Sequence, residues 1–130
     1  MSSFIRIAIV DDQPGNRIII RKKLESNTSF KVVLLAENGR DFLDKMKLLP
    51  SDQIPDVVLM DLEMPHLDGH QATIEIRKDA RFDKLPIIAM TAHALSEIRE
   101  RCLQEGMQDY ITKPVDPDKL YGTLARWLGH

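Results

Sequence analysis

Cysteine is almost missing from this 130-residue chain. The single copy, Cys102, has no intrachain partner, so no disulfide framework holds the fold and a reducing compartment is the expected setting. No amino-terminal apolar run of signal length precedes the acidic pair Asp11-Asp12, which points away from secretion or membrane insertion and towards the cytoplasm. A positive excess is missing too. Lys and Arg total 18 against 20 Asp and Glu, and a net charge of −2 offers no basic field to hold a nucleic-acid backbone. Glycine (6) and proline (7) are not in excess and no repeat or low-complexity tract occurs, so disorder is not expected. What remains is ordinary globular composition, 43% hydrophobic and 29% charged. One domain over residues 1–130 is expected, long enough to bury roughly two thirds of its unfolded surface.

The stretch Val57-Val58-Leu59-Met60-Asp61-Leu62-Glu63-Met64-Pro65 organises the chain. Four apolar residues run into one carboxylate, and a proline soon follows. The pattern predicts a buried strand delivering Asp61 to its carboxyl end, where open α/β sheets bind ligands.

Other strands are read in the same way. Ile5-Arg6-Ile7-Ala8-Ile9-Val10 alternates and then turns continuously apolar before Asp11-Asp12. Pro14 suits the first turn of a helix running to about Ser26, with Ile20 and Leu24 facing inward. Lys31 to Ala36 is the second strand, followed by a helix after Gly39 carrying Phe42, Met46 and Leu49. Pro50 to Pro55 is a polar connector. Asp68-Gly69 starts a third helix with the stripe Ala72, Ile76 and Ala80. Leu85 to Met90 is a strand finishing at Thr91, and Leu95, Ile98, Cys102 and Leu103 mark a helix closed by Gly106. Asp109 to Thr112 is a short fifth strand reaching Lys113-Pro114. Asp116-Pro117 opens a last helix striped by Leu120, Leu124, Trp127 and Leu128. Five strand-then-helix units call for right-handed crossovers: a three-layer, doubly wound (βα)5 domain of class α/β, with a five-stranded parallel sheet.

Four of those strands end in a reactive or polar residue: Asp11 and Asp12, Asp61, Thr91, and Lys113. In a parallel sheet these ends share one edge. Three carboxylates brought together repel by about 4 kcal/mol per close pair at a surface-like dielectric, so a cation should share the pocket. A hard divalent ion and Lys113 would provide it. Magnesium takes one or two carboxylates, keeps several waters and bridges to phosphate, which suits an acidic cluster beside a hydroxyl and an ammonium.

With its Asp11-Asp12 pair, Asp61-Leu62-Glu63-Met64-Pro65, Leu67-Asp68-Gly69, Met90-Thr91-Ala92 and Lys113-Pro114 in this order and spacing, the chain resembles a response-regulator receiver domain of two-component signalling. The match spans essentially its whole length. The wording Met90-Thr91-Ala92-His93-Ala94, with Asp109-Tyr110-Ile111-Thr112-Lys113-Pro114, is especially similar to receivers attached to hybrid sensor kinases. The resemblance implies a flavodoxin-like sheet of order 2-1-3-4-5 and a phosphorylation-dependent switch that is not a conventional enzyme. It implies that Asp61 takes a phosphoryl group from a phosphohistidine on a sensor histidine kinase or a histidine phosphotransfer protein. Asp12 and Asp61 would bind Mg2+, with Mn2+ as a substitute; the backbone carbonyl of Glu63 would complete the protein ligands, and Asp11 would act through water. Lys113, joined to Pro114 by a cis bond, would neutralise one phosphoryl oxygen and Thr91 would donate to another. Thr91 and Tyr110 would form the switch. The fourth helix, fifth strand and fifth helix would present the changed surface to an output domain or partner. Glu63 and His93, each two residues past a site residue, should rim the mouth and set how fast the acyl phosphate hydrolyses.

The same residues also admit blander readings and rival functions. His66 and His70 are four apart, but no glutamate lies between them and Gly69 weakens the helix, so both read as surface residues rather than a metal pair. Cys102 reads as a buried thiol. Trp127 reads as a packing residue, or as a partner contact if exposed. A haloacid-dehalogenase-like phosphatase would need Asp-x-Asp-x-Thr where this chain has Asp61-Leu62-Glu63-Met64-Pro65. A flavodoxin-like flavin binder would need a hydroxyl- or glycine-rich loop where Asp11-Asp12 stands. A receiver that only binds partners without being phosphorylated would have no need to fill every reactive position.

Overall fold

The computed structural model describes residues 4–93 and 95–128; Ala94 of the hybrid-kinase-like wording and the terminal His130 lie outside the described residues. Its strands are β1 (Ile5–Val10), β2 (Phe30–Ala36), β3 (Val57–Asp61), β4 (Ile87–Thr91) and β5 (Asp109–Thr112). They form one parallel sheet in the order β2-β1-β3-β4-β5. The helices are α1 (Pro14–Glu25), α2 (Gly39–Lys47), α3 (Gly69–Ile76), α4 (Ser96–Glu105) and α5 (Pro117–Leu128), with short 3-10 turns at Ser51–Gln53 and Ala80–Phe82. Among the described residues, no helix is long and apolar enough to cross a membrane.

The continuous apolar runs of the central strands follow from burial on both faces. Because side chains alternate along a strand, Ala8, Val10, Val58 and Met60 pack on one face with Phe42, Met46, Ile76 and Cys102. Ile7, Ile9, Val57 and Leu59 pack on the other with Ile20, Leu24, Leu120 and Leu124. Two cores therefore sandwich the sheet, which is the three-layer arrangement the alternating pattern predicts. Burial pushes the Cys102 thiol up to about 11, so it is a packing group rather than a nucleophile.

Helix starts are specified locally. Asn38 accepts from the Asp41 amide at 2.8 Å. Asp68 and Gln71 form a reciprocal capping box at the start of α3. Gly106 ends α4 at φ 103°, a left-handed position where a side chain would be strained.

Several boundaries differ from expectation. Leu85 and Pro86 precede β4, since proline offers no amide to the ladder; the Pro86 carbonyl nevertheless accepts from Val58 at 2.9 Å. Ala80 leaves the α3 stripe for an exposed place in the second 3-10 turn, and Leu49 lies beyond α2. Leu95 is the N-cap of α4 and 54% exposed, and Leu103 is also exposed, so Cys102 alone is buried on that helix. Trp127 is 40% exposed, its Nε1 donating to Asp109 Oδ2 at 2.9 Å. His70 is buried rather than on the surface: its Nδ1 is bonded to Glu105, which joins α3 to α4 and shields the ring from solvent. His66 is exposed as expected.

Candidate functional site

The carboxyl ends of β1, β3, β4 and β5 open on one edge of the sheet. Asp61 is the last residue of β3 and Thr91 the last of β4; Asp11 and Lys113 directly follow β1 and β5. Asp11, Asp61 and Thr91 are buried, whereas Asp12 and Lys113 are half-buried. Carboxylate oxygens of Asp11, Asp12 and Asp61 lie within 4.8 Å of one another. Lys113 Nζ stands 2.9 Å from Asp61 Oδ1 and 3.5 Å from Asp11 Oδ2. The structure thus brings together residues separated by half the chain.

Backbone contacts fix this arrangement. The Lys113 amide donates to the Thr91 carbonyl at 2.7 Å, aligning the lysine beside β4. The Lys113–Pro114 bond is cis. Asp11 Oδ1 accepts from the Gln13 amide at 2.9 Å, and Arg17 Nη1 holds the Asp11 carbonyl at 2.6 Å. Asp61 Oδ1 accepts from the Glu63 amide at 3.1 Å. Gly69 passes so close that a Cβ there would lie 2.3 Å from the Asp61 carbonyl oxygen. Between them, His66 and Leu67 both take left-handed backbone conformations, φ 55° and 77°, storing about 1–3 kcal/mol each in the loop beside the site.

Electrostatics follow from burial. Desolvation pushes Asp61 up to about 6; Lys113 opposes this and the Asp11 charge adds to it. For Lys113, burial works against the ammonium, but the hydrogen bond and charge of Asp61, with Asp11 and Glu63 nearby, outweigh it and hold the group above its usual range. At neutral pH the Asp61 carboxylate therefore faces the Lys113 ammonium.

Asp11 Oδ2 and Asp61 Oδ2 are buried and, among the described residues, have no hydrogen-bond partner. Such orphaned acceptors are uncommon and call for a ligand. Both belong to the three-carboxylate group, and an all-oxygen donor set with one half-exposed member suits a hard divalent cation that keeps waters, such as magnesium. The residues present fit that ion. Neither His66 nor His70 enters a cluster able to hold a metal among the described residues.

The remaining expected residues surround the pocket. The Glu63 carboxylate reaches the Ala92 amide at 2.9 Å, His93 is exposed beside Thr91, and Tyr110 is half-buried with Arg99 5.9 Å from its ring centre. Sequence reasoning missed Arg17, whose clamp on Asp11 comes from a helix turn with no motif. It also took Gly69 only as a helix start; its lack of a side chain beside Asp61 needs the folded backbone to be seen.

Comparisons with known proteins agree with this geometry. The response regulator receiver domain profile matches residues 7–125. Sensor histidine kinase GacS of Pseudomonas protegens is 37% identical over 127 residues, covering 95% of this chain and 13% of that protein. Response regulator Rre1 of Synechocystis sp. is 36% identical over 128 residues, covering 98% of this chain and 53% of Rre1. The chain therefore spans about an eighth to about half of the length of these curated relatives. The crystal structure of a receiver domain from a Pseudomonas aeruginosa sensor histidine kinase, with a magnesium ion coordinated in its active-site cleft, has TM-score 0.83 and 38% identity, covering 98% of this chain and 100% of that one. With that profile matching residues 7–125 and relatives 36–37% identical over nearly the whole chain, the chain belongs to the response regulator receiver domain family of two-component signalling.

Proposed function

We propose that this domain is a phosphorylation switch in which Asp61 accepts a phosphoryl group from a phosphohistidine. A carboxylate oxygen of Asp61 attacks phosphorus, the P–N bond breaks as the O–P bond forms, and the departing imidazole takes up a proton. The reading is carried by one observation: three carboxylates within 4.8 Å, two with orphaned buried oxygens, beside an ammonium 2.9 Å from Asp61.

Each side chain has a task suited to its place. Asp12 and Asp61, the Glu63 carbonyl, and Asp11 through water would hold magnesium, with manganese as a substitute. When bound, such an ion supplies positive charge to the phosphoryl oxygens. Lys113 neutralises one of those oxygens, and the Thr91 hydroxyl turns to donate to another. The donor protein has to cover the open edge, and an apolar surface stands beside it: Ile18 and Ile19 are 55% and 51% exposed, and Ile19 shares a groove of about 420 Å³ with Asp11 and Lys113. A sensor histidine kinase or a phosphotransfer protein would dock there. Movement of Thr91 and Tyr110 then alters the face built from α4, β5 and α5, with a coupling of about 1–3 kcal/mol to an output partner. Glu63 and His93, at the mouth, govern water access to the acyl phosphate and hence its lifetime.

The test is incubation with acetyl phosphate and Mg2+, read by intact mass. One added phosphoryl group is expected on the wild type and none on Asp61→Asn; an unmodified wild type overturns the reading.

A further inference from the structure

Glu63 already occupies the Thr91 hydroxyl, a donor that a phosphoryl group on Asp61 would need, together with the adjoining Ala92 amide. Its Oε1 accepts from the Ala92 amide at 2.9 Å and from the Thr91 hydroxyl at 3.3 Å. The same hydroxyl accepts from the His93 amide at 3.0 Å and lies 3.4 Å from the His93 carbonyl. It has one proton to give, and a carboxylate is a stronger acceptor than a carbonyl. The Glu63 amide meanwhile donates to Asp61 Oδ1 at 3.1 Å. One residue thus touches the acceptor aspartate through its backbone and the strand-end hydroxyl through its side chain.

We infer that Glu63 is a built-in anion that competes with the phosphoryl group for the Thr91 hydroxyl and the Ala92 amide. The inference rests on Asp61 being the phosphoacceptor. To a hydroxyl and an amide, a carboxylate oxygen and a phosphoryl oxygen are equivalent anionic acceptors. Both cannot hold the same donors, and their charges repel at this range. In the resting protein Glu63 therefore positions the loop after β4 as if a phosphate were partly present. Phosphorylation releases Glu63 to solvent and takes over its two donors. Glu63 acts through Thr91 and Ala92, so it is a positioning residue, and its charge weakens the hold on the incoming anion.

Beryllofluoride, a phosphoryl mimic, is the probe. Wild type, Glu63→Gln and Glu63→Ala are titrated with it in excess Mg2+ and 1 M KCl, followed through backbone amide resonances. At that salt the Debye length is about 3 Å, so simple repulsion is screened while direct occupation of the donors persists. Losing a charged acceptor should tighten binding about fivefold in Glu63→Gln and about tenfold in Glu63→Ala, from the difference between charged and neutral hydrogen bonds. Without metal or mimic, the Ala92 amide proton should move upfield in Glu63→Ala while amides of β2 stay in place, a readout independent of phosphorylation. Equal or weaker binding by the variants, or an unmoved Ala92 amide, overturns the competition and leaves the Asp61 reading standing. A wild type that binds no beryllofluoride overturns both.

Discussion

Two sets of buried or half-buried charged groups lie at opposite ends of β4, and they are completed to different degrees. At the amino end, Arg77 caps α3 and engages four of its five N–H groups. Nε and Nη2 donate to the Gly106 carbonyl at 3.1 and 2.6 Å, Nη1 to the Phe82 carbonyl at 2.6 Å, and Nη2 also to Gln108 Oε1 at 3.1 Å. That same Oε1 receives the Ile87 amide at 2.7 Å. At the carboxyl end, Asp11 and Asp61 each keep a buried oxygen without a hydrogen-bond partner among the described residues. A network whose buried acceptors are paired holds helices to strands; one whose buried acceptors are left short is built to receive something. The first favours the fold at all times, whereas the second opposes it until a ligand arrives.

The largest expected effect breaks the completed side. Arg77→Ala leaves the Gly106 carbonyl without its donors and the Phe82 carbonyl with only the Leu85 amide at 3.3 Å; at about 1–3 kcal/mol for each acceptor left short, a loss of about 3 kcal/mol is expected in urea unfolding. Acetyl phosphate labelling of the folded variant should be unchanged. Lost labelling in a folded Arg77→Ala protein would mean that the two ends are not separate.

Next comes the incomplete side, where substitution should do the reverse. Asp61 is raised to about 6 in the fold from an ordinary 3.8, because burial and Asp11 disfavour its charge. A raised carboxyl contributes stability that is complete below the unfolded value and lost as pH climbs through the folded one. At pH 7.5 the ionised aspartate therefore penalises the metal-free fold, and Asp61→Asn should raise stability by on the order of 2 kcal/mol, allowing for the weakened Lys113 contact. That advantage should shrink between pH 6 and pH 4. Urea midpoints of both proteins across this range decide it; a gain independent of pH would point to packing and not to charge.

This asymmetry explains what the sequence could disclose. Layers and strand ends were legible because burial on both faces writes continuous apolar runs, which Asp61 and Thr91 interrupt at their ends, whereas the sheet order came from the family resemblance and not from the pattern. Convergence of the strand ends then follows from parallel strands. What stayed hidden depends on approach between distant segments. Nothing in its local sequence marks Arg77 as different from a solvated arginine, since its acceptors lie up to 31 residues away. His70 looks like a surface residue until Glu105, 35 residues on, is brought against it. Leu95 and Leu103 keep helical spacing yet face solvent, because a stripe does not state which side of a helix meets the sheet. The Glu63 side chain was expected at the mouth, but only the folded chain shows which donors it holds.

The smallest effect sharpens the contrast. A divalent ion that binds the folded pocket and not the unfolded chain stabilises by RT ln(1 + [L]/Kd), about 1.4 kcal/mol at ten times its Kd. Magnesium should give this increment to the wild type, through the orphaned oxygens of Asp11 and Asp61. Asp12→Asn should lose most of it at the same concentration, because it removes one of the three clustered carboxylates. Arg77→Ala should keep the whole increment although it starts from a lower stability. Its network meets β4 at Ile87, and Thr91 lies four residues further along the strand, about 13 Å away, beyond the range at which substitutions usually couple. Protons compete for Asp61, so the magnesium increment should also fade as pH falls below about 6. Urea unfolding with and without MgCl2, for all three proteins at pH 7.5 and pH 5, separates the two ends. An equal increment in Asp12→Asn would place the ion elsewhere, and a vanished increment in Arg77→Ala would join the two networks into one.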